Sequence, residues 1–207
     1  VRTELGATST MATQYLQAAG IDPPAQLATA LFYGIKTDTL GLARGVSSID
    51  VAVYFYLQPR IDVEALVDIE QAQVPPAYFQ SLDATLRAAR IYGGVVISYV
   101  GVMRYPDLVA EMADLLLRLR GTFCVLCMGQ YQDDLVLSIR TQGQQLEAGS
   151  LAQQIVGKDG AAGGHGNLAG GQVPLDDRAA EALAEQLGQR LLRHIYRTAD
   201  LPSKALI

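Results

Sequence analysis

One of only two histidines in the chain sits in a run almost free of side chains, Ala161-Ala162-Gly163-Gly164-His165-Gly166-Asn167-Leu168-Ala169-Gly170-Gly171. Glycine leaves backbone N–H groups unshielded and reaches positive φ, so such a loop can wrap an anion, with histidine or arginine as the positive partner. Phosphate suits this chemistry; a flexible surface loop is the reading that needs no ligand. Upstream, Ser138-Ile139-Arg140 offers a guanidinium able to grip phosphate or carboxylate on two bonds, with Ser138 on the same strand face. A solvated arginine on a hairpin accounts for Arg140 equally well. Asp38, between Thr37 and Thr39, is a carboxylate suited to hard cations such as Mn²⁺ or Mg²⁺, with two hydroxyls placed to orient it. Its competing reading is a helix-ending Asp bonded to local backbone N–H groups. Arg44 could reach a phosphate or be a surface arginine. Tyr92, Tyr99, Phe123 and Tyr131 could stack a base, although strand aromatics are more often core.

The elements that must position these residues are readable from spacing. Ser9 or Thr10 starts a helix carrying Met11, Tyr15, Leu16 and Ala19, which Gly20 stops. A second helix opens at Pro23-Pro24 and delivers Lys36-Thr37-Asp38 to its C-terminal end. Ser47-Ser48 and Asp62 cap two more, so the first region is nearly all helix. Pro75-Pro76 marks a boundary, giving domains 1–74 and 75–207. The second region reads as a linking helix from Ala77 to Ala89, a strand from Tyr92 to Met103, a helix from Asp107 to Arg118, and a hairpin of Thr122 to Gly129 with Leu135 to Thr141. A helix from Leu146 to Val156 feeds the glycine run; a short strand near Val173 and a long helix capped by Asp176 or Asp177 follow. The fold class expected is α/β.

Composition bounds the function. A chain of 207 residues with 50% hydrophobic content can bury a substantial core. Only 18% of residues are charged and the formal net charge is −5, which argues against a broad basic cleft for long nucleic acid. The longest apolar run, Gly93 to Met103, is too short to span a bilayer, so no membrane partner is expected. Val1 at the start, with no signal-peptide pattern after it, reads as a piece of a longer cytoplasmic protein. Cys124 and Cys127 have a C-x-x-C spacing, but three residues apart on a strand they face opposite sides, so two buried reduced thiols are expected.

The order of strand, helix and Gly-Gly-His run resembles the C-terminal domain of the DHH (RecJ-like) phosphoesterases. Tyr33-Gly34-Ile35-Lys36-Thr37-Asp38-Thr39 resembles that family's last catalytic-domain motif, and Ala7-Thr8-Ser9-Thr10 also fits. Two features depart from the pattern: Leu168 replaces the first alanine usual after the histidine, and the Asp-His-His triplet is absent. The resemblance implies the helical end of a DHH catalytic domain followed by an α/β DHH-associated substrate-binding domain with a mixed sheet. It implies, in the complete protein, a metal-dependent hydrolase of the oligoribonuclease (nanoRNase) or nucleotide phosphatase branch. Its substrates would be short oligonucleotides or small phosphorylated nucleotides. Asp38 would be a metal ligand for Mn²⁺ or Mg²⁺, and Ser138, Arg140, Gly163, Gly164 and His165 would hold substrate across a cleft. Alone, the chain would be inactive and hold no metal tightly. A non-catalytic nucleotide or nucleic-acid binding module is the alternative, because related domains accompany other enzymes, alanyl-tRNA synthetase among them. Homo-oligomerisation is compatible with either reading.

Overall fold

The computed structural model describes residues 4–143 and 146–207. Contacts divide the chain into two compact units, Val1–Val74 and Pro75–Ile207.

The first unit is helical: α1 (Thr8–Ala18), α2 (Ala25–Asp38), α3 (Ser48–Leu57), a 3₁₀ turn (Gln58–Arg60) and α4 (Val63–Glu70). Ala28, Phe32 and Ile35 of α2 meet Val53 and Leu57 of α3 in its core. Pro24 is the N-cap of α2, as proline's fixed φ allows. Gly34 lets α2 approach α1 closely, since a Cβ there would run into the Ser9 side chain. α1 begins at Thr8 behind Ala7, with no side-chain cap, rather than on Ser9 or Thr10. Thr10 is engaged elsewhere: its hydroxyl donates to Oδ1 of Asp50 over 2.5 Å. Asp50 is fully buried and completes a capping box with Ser47, and its Oδ2 also accepts from Gly6 N at 2.9 Å and from Ser47 N at 2.8 Å. Burial alone would raise its pKa, but the hydrogen bonds from Ser47, Thr10 and Gly6 outweigh that and bring it down to about 2.

The second unit is α/β. Its helices are α5 (Pro76–Ala88), α6 (Leu108–Leu116), α7 (Ala148–Val156) and α8 (Ala180–Tyr196). Its strands are β1 (Arg90–Tyr92), β2 (Val95–Val102), β3 (Cys124–Tyr131), β4 (Asp134–Thr141), β5 (Ala161–His165), β6 (Leu168–Pro174) and β7 (Lys204–Ala205). They form one sheet in the order β5-β6-β4-β3-β2-β1-β7. Only β2 and β3, joined through α6, run parallel; every other pairing is antiparallel, so the sheet is mixed. One sheet face packs α7 and α8 through Leu126, Leu137, Ile155 and Leu187, and the other packs α5 and α6 through Val96, Val100, Met112 and Val125. The Ser98 hydroxyl donates to the Thr85 carbonyl at 2.8 Å, fixing α5 to β2. Cys124 lies in the first of these cores and Cys127 in the second, as opposite-facing strand residues must.

Three sequence expectations change here. The strand expected from Tyr92 to Met103 is a hairpin, β1 and β2, turning at Gly93-Gly94: Gly93 has φ +61°, and a Cβ on Gly94 would strike the Phe123 ring. α8 starts at Ala180 behind Ala179, which has no side-chain acceptor to cap it, while Asp176 and Asp177 lie in the turn before it. The glycine run is not a loop: residues 161–165 and 168–174 pair as the β5–β6 hairpin at the sheet edge, turning at Gly166-Asn167. Its glycines make a nearly bare strand surface rather than a flexible wrap.

Candidate functional site

The registers of β4, β6 and β5 lay three rungs side by side on the sheet face that carries α6. Arg140 pairs with Leu168, which pairs with His165; Ser138 pairs with Gly170, which pairs with Gly163; Val136 pairs with Gln172, which pairs with Ala161. Strand alternation turns all nine residues to one face. They line a concavity of about 670 Å³ walled on the other side by Pro106, Asp107, Val109 and Ala110. The middle rung is nearly without side chains. A Cβ on Gly163 would meet nothing within 4 Å, and one on Gly170 only the Leu137 carbonyl oxygen at 3.7 Å, so this floor is open backbone. Ser138, Arg140, Gly163, Gly164 and His165, singled out from the sequence, all line this concavity.

The guanidinium is held, not solvated. Arg140 Nη1 donates to Ser138 Oγ at 2.6 Å and to the Ile139 carbonyl at 3.2 Å. Nε donates to Oδ1 of Asp114 at 2.6 Å and Nη2 to Oδ2 at 3.4 Å. The Arg140 side chain is 11% exposed against 59% for Asp114, so the protein orders the arginine and the aspartate reaches it from the α6 surface. Nothing in the sequence signals that Asp114, a helix residue 26 positions away, is its partner.

Gly163 and Gly164 differ in role. A Cβ on Gly164 would collide with the Leu168 carbonyl oxygen and Ala169, so its missing side chain serves the hairpin itself. Adjacent strand residues also direct their N–H groups to opposite sides, so the two cannot present N–H groups together to one ligand. The N-terminus of α7 is taken by the chain's own carboxylate: Glu147 accepts from Gly149 N at 3.1 Å and Ser150 N at 2.5 Å. The Ser150 hydrogen bonds, then that of Gly149, hold the Glu147 carboxyl below the usual range, with the nearby His165 charge acting the same way. Tyr92, Tyr99 and Phe123 pack against the core on the α8 side, and Tyr131 against the other core; none lines this concavity. His194 is exposed in the last turn of α8.

In the first unit Asp38 is the last residue of α2, exposed, and its carboxylate accepts no hydrogen bond among the described residues. The local-cap reading therefore does not describe it. Nor do the flanking threonines orient it. Thr37 donates to the Tyr33 and Gly34 carbonyls, and Thr39 to the Ile35 carbonyl while accepting from Leu42 N. A carboxylate at a helix C-terminus is electrostatically unfavourable. Arg44 is exposed in the turn that follows. Among the described residues no group of three or more His, Cys, Asp or Glu side chains is arranged to hold a metal ion. The residues present here therefore do not by themselves fit a metal centre.

No protein-family model matches the chain. It is 35% identical over 176 residues to a protein of Methanocaldococcus jannaschii that is itself uncharacterized; the match covers 84% of this chain but 36% of that protein, so the chain spans little more than a third of its relative. An exopolyphosphatase-related protein from Bacteroides fragilis superposes with a TM-score of 0.74 at 15% identity, over 92% of this chain and 57% of the other. RecJ from Thermus thermophilus, solved in complex with Mn²⁺, superposes with a TM-score of 0.50 at 14% identity, over 88% of this chain and 34% of RecJ. The fold is thus one shared with the exopolyphosphatase-related protein and, less closely, with RecJ. No helix among the described residues is long and apolar enough to cross a membrane.

Proposed function

We propose that this chain is part of a DHH-type phosphoesterase: the helical end of the catalytic domain and a substrate-binding domain, residues 1–74 and 75–207. The complete protein hydrolyses short oligonucleotides or small phosphorylated nucleotides with Mn²⁺ or Mg²⁺ as cofactor. The observation that carries this reading is the convergence of Arg140, Ser138 and His165 on a bare glycine floor within one concavity. A guanidinium fixed by the strand beneath it loses little entropy on taking up a phosphate oxygen, and the floor lets that phosphate approach the backbone. Arg140 binds the phosphate, Ser138 holds Arg140, and His165 supplies a second donor on the same rung. Asp38 supplies one carboxylate to the metal site, where its exposure leaves it accessible to an ion.

One carboxylate does not hold a metal pair, so this chain binds substrate without cleaving it. A non-catalytic binding module would use the same concavity. The test is to titrate a 5′-phosphorylated dinucleotide into the chain and into Arg140→Ala. Loss of a charge-assisted hydrogen bond, about 1.5–3 kcal/mol, predicts a roughly tenfold to hundredfold weakening. Equal affinities in two folded proteins would refute the assignment. In parallel, incubation with an oligoribonucleotide and Mn²⁺ should give no turnover.

A further inference from the structure

The concavity is bipolar along its length, and its far end offers an exposed carboxylate and an exposed side-chain amide. Arg140 and Val136 are four residues apart on β4, about 13 Å at strand rise. Along α6, Asp114 touches Arg140, while Asp107, seven residues earlier and about 10 Å away at helical rise, lines the concavity. Arg140 and His165 therefore mark one end, and Asp107 with Gln172 the other. Asp107 occupies the N-cap position of α6, where an aspartate ordinarily bonds the first-turn N–H groups. Here its backbone is already helical, φ −68° and ψ −15°, and its carboxylate makes no cap hydrogen bond. The Gln172 amide likewise makes no hydrogen bond among the described residues.

We infer that Asp107 and Gln172 select the nucleoside end of the ligand, taking a group with two adjacent hydrogen-bond donors and rejecting inorganic phosphate chains. This rests on the reading of Arg140 and His165 as the phosphate end. A nucleoside monophosphate spans such a distance with an anion at one end and donors at the other. A carboxylate accepts two parallel donors, whether the ribose cis-diol or the N1–H and N2–H of guanine. A pyrophosphate held at Arg140 is too short to reach Asp107 and gains nothing there, and a longer inorganic chain would set charged acceptors against it with no donor to offer.

The test is calorimetric titration of the 207-residue chain with GMP, dGMP, AMP, pyrophosphate and tripolyphosphate, repeated on Asp107→Asn and Arg140→Ala, with circular dichroism as the folding control. GMP should bind at least tenfold more tightly than pyrophosphate, and Asp107→Asn should bring that ratio close to one. A drop for dGMP identifies the ribose diol as the donor pair, and a drop for AMP identifies the guanine edge. If the inorganic chains bind as tightly as the nucleotides, or Asp107→Asn leaves the ratio unchanged, while Arg140→Ala still abolishes binding, the inference is overturned and the phosphate end stands. If no ligand depends on Arg140, the functional reading fails and this inference with it.

Discussion

Residue chemistry separates groups that hold the fold from groups left free to act. Asp50 holds the first unit: its carboxylate carries hydrogen bonds from Gly6, Thr10 and Ser47 and a pKa of about 2 against an ordinary 3.8. A depressed folded-state pKa gives stability that is fully present above the unfolded value and is lost as pH falls toward 2. The shift corresponds to about 2 kcal/mol. Asp50→Asn should therefore lower the melting temperature at pH 7 and flatten the stability profile between pH 4 and 2; an unchanged acid-unfolding curve would show that the network does not carry the charge. Asp38 is the opposite case. Removing an unpartnered negative charge from a helix C-terminus should leave the melting temperature unchanged or raise it slightly, by about 0.3–1 kcal/mol of stability. A loss of several degrees in Asp38→Asn, read by thermal melt, would restore a structural role.

At the scale of elements, the β5–β6 hairpin shows how two neighbouring glycines serve different ends. Gly163→Val should keep the fold and block phosphate binding, because its side chain projects over the open floor. Gly164→Val should unfold or distort the hairpin, because its Cβ meets the Leu168 carbonyl and Ala169. Circular dichroism melts and a phosphate titration on the two variants check the contrast, and equal melting temperatures would contradict it. On β3, burial pushes the Cys124 and Cys127 thiols up to about 12. Native protein at pH 8 should not react with a disulfide thiol reagent, whereas denatured protein should release two equivalents.

At the scale of the whole chain, the carboxylate proposed for metal and the concavity proposed for phosphate lie in different units, Asp38 in the first and Arg140 in the second. Added Mn²⁺ should therefore leave the melting temperature within a degree of the metal-free value, since a single exposed carboxylate binds the ion only weakly. A rise of several degrees would reveal a metal site that the described residues do not show.

What the sequence determined by itself was local. Periodicity and caps located α2, α3, α4 and the β3–β4 hairpin, because amphipathic spacing and capping chemistry act within a few residues. Opposite facing of Cys124 and Cys127, and the shared face of Ser138 and Arg140, followed from strand alternation alone. The choice of Arg140, Ser138 and His165 came from residue chemistry together with a family resemblance. Only the tertiary structure decided the rest. A glycine run reads as a loop because it carries no periodic signal, and it became a strand pair only because β4 offered an edge to which β6 could pair. Asp114 and Asp107 were invisible as site residues because helix α6 looks like any other amphipathic helix in sequence. Their meaning depends on its being laid across the sheet, where one carboxylate meets Arg140 and the other faces the far end of the same concavity.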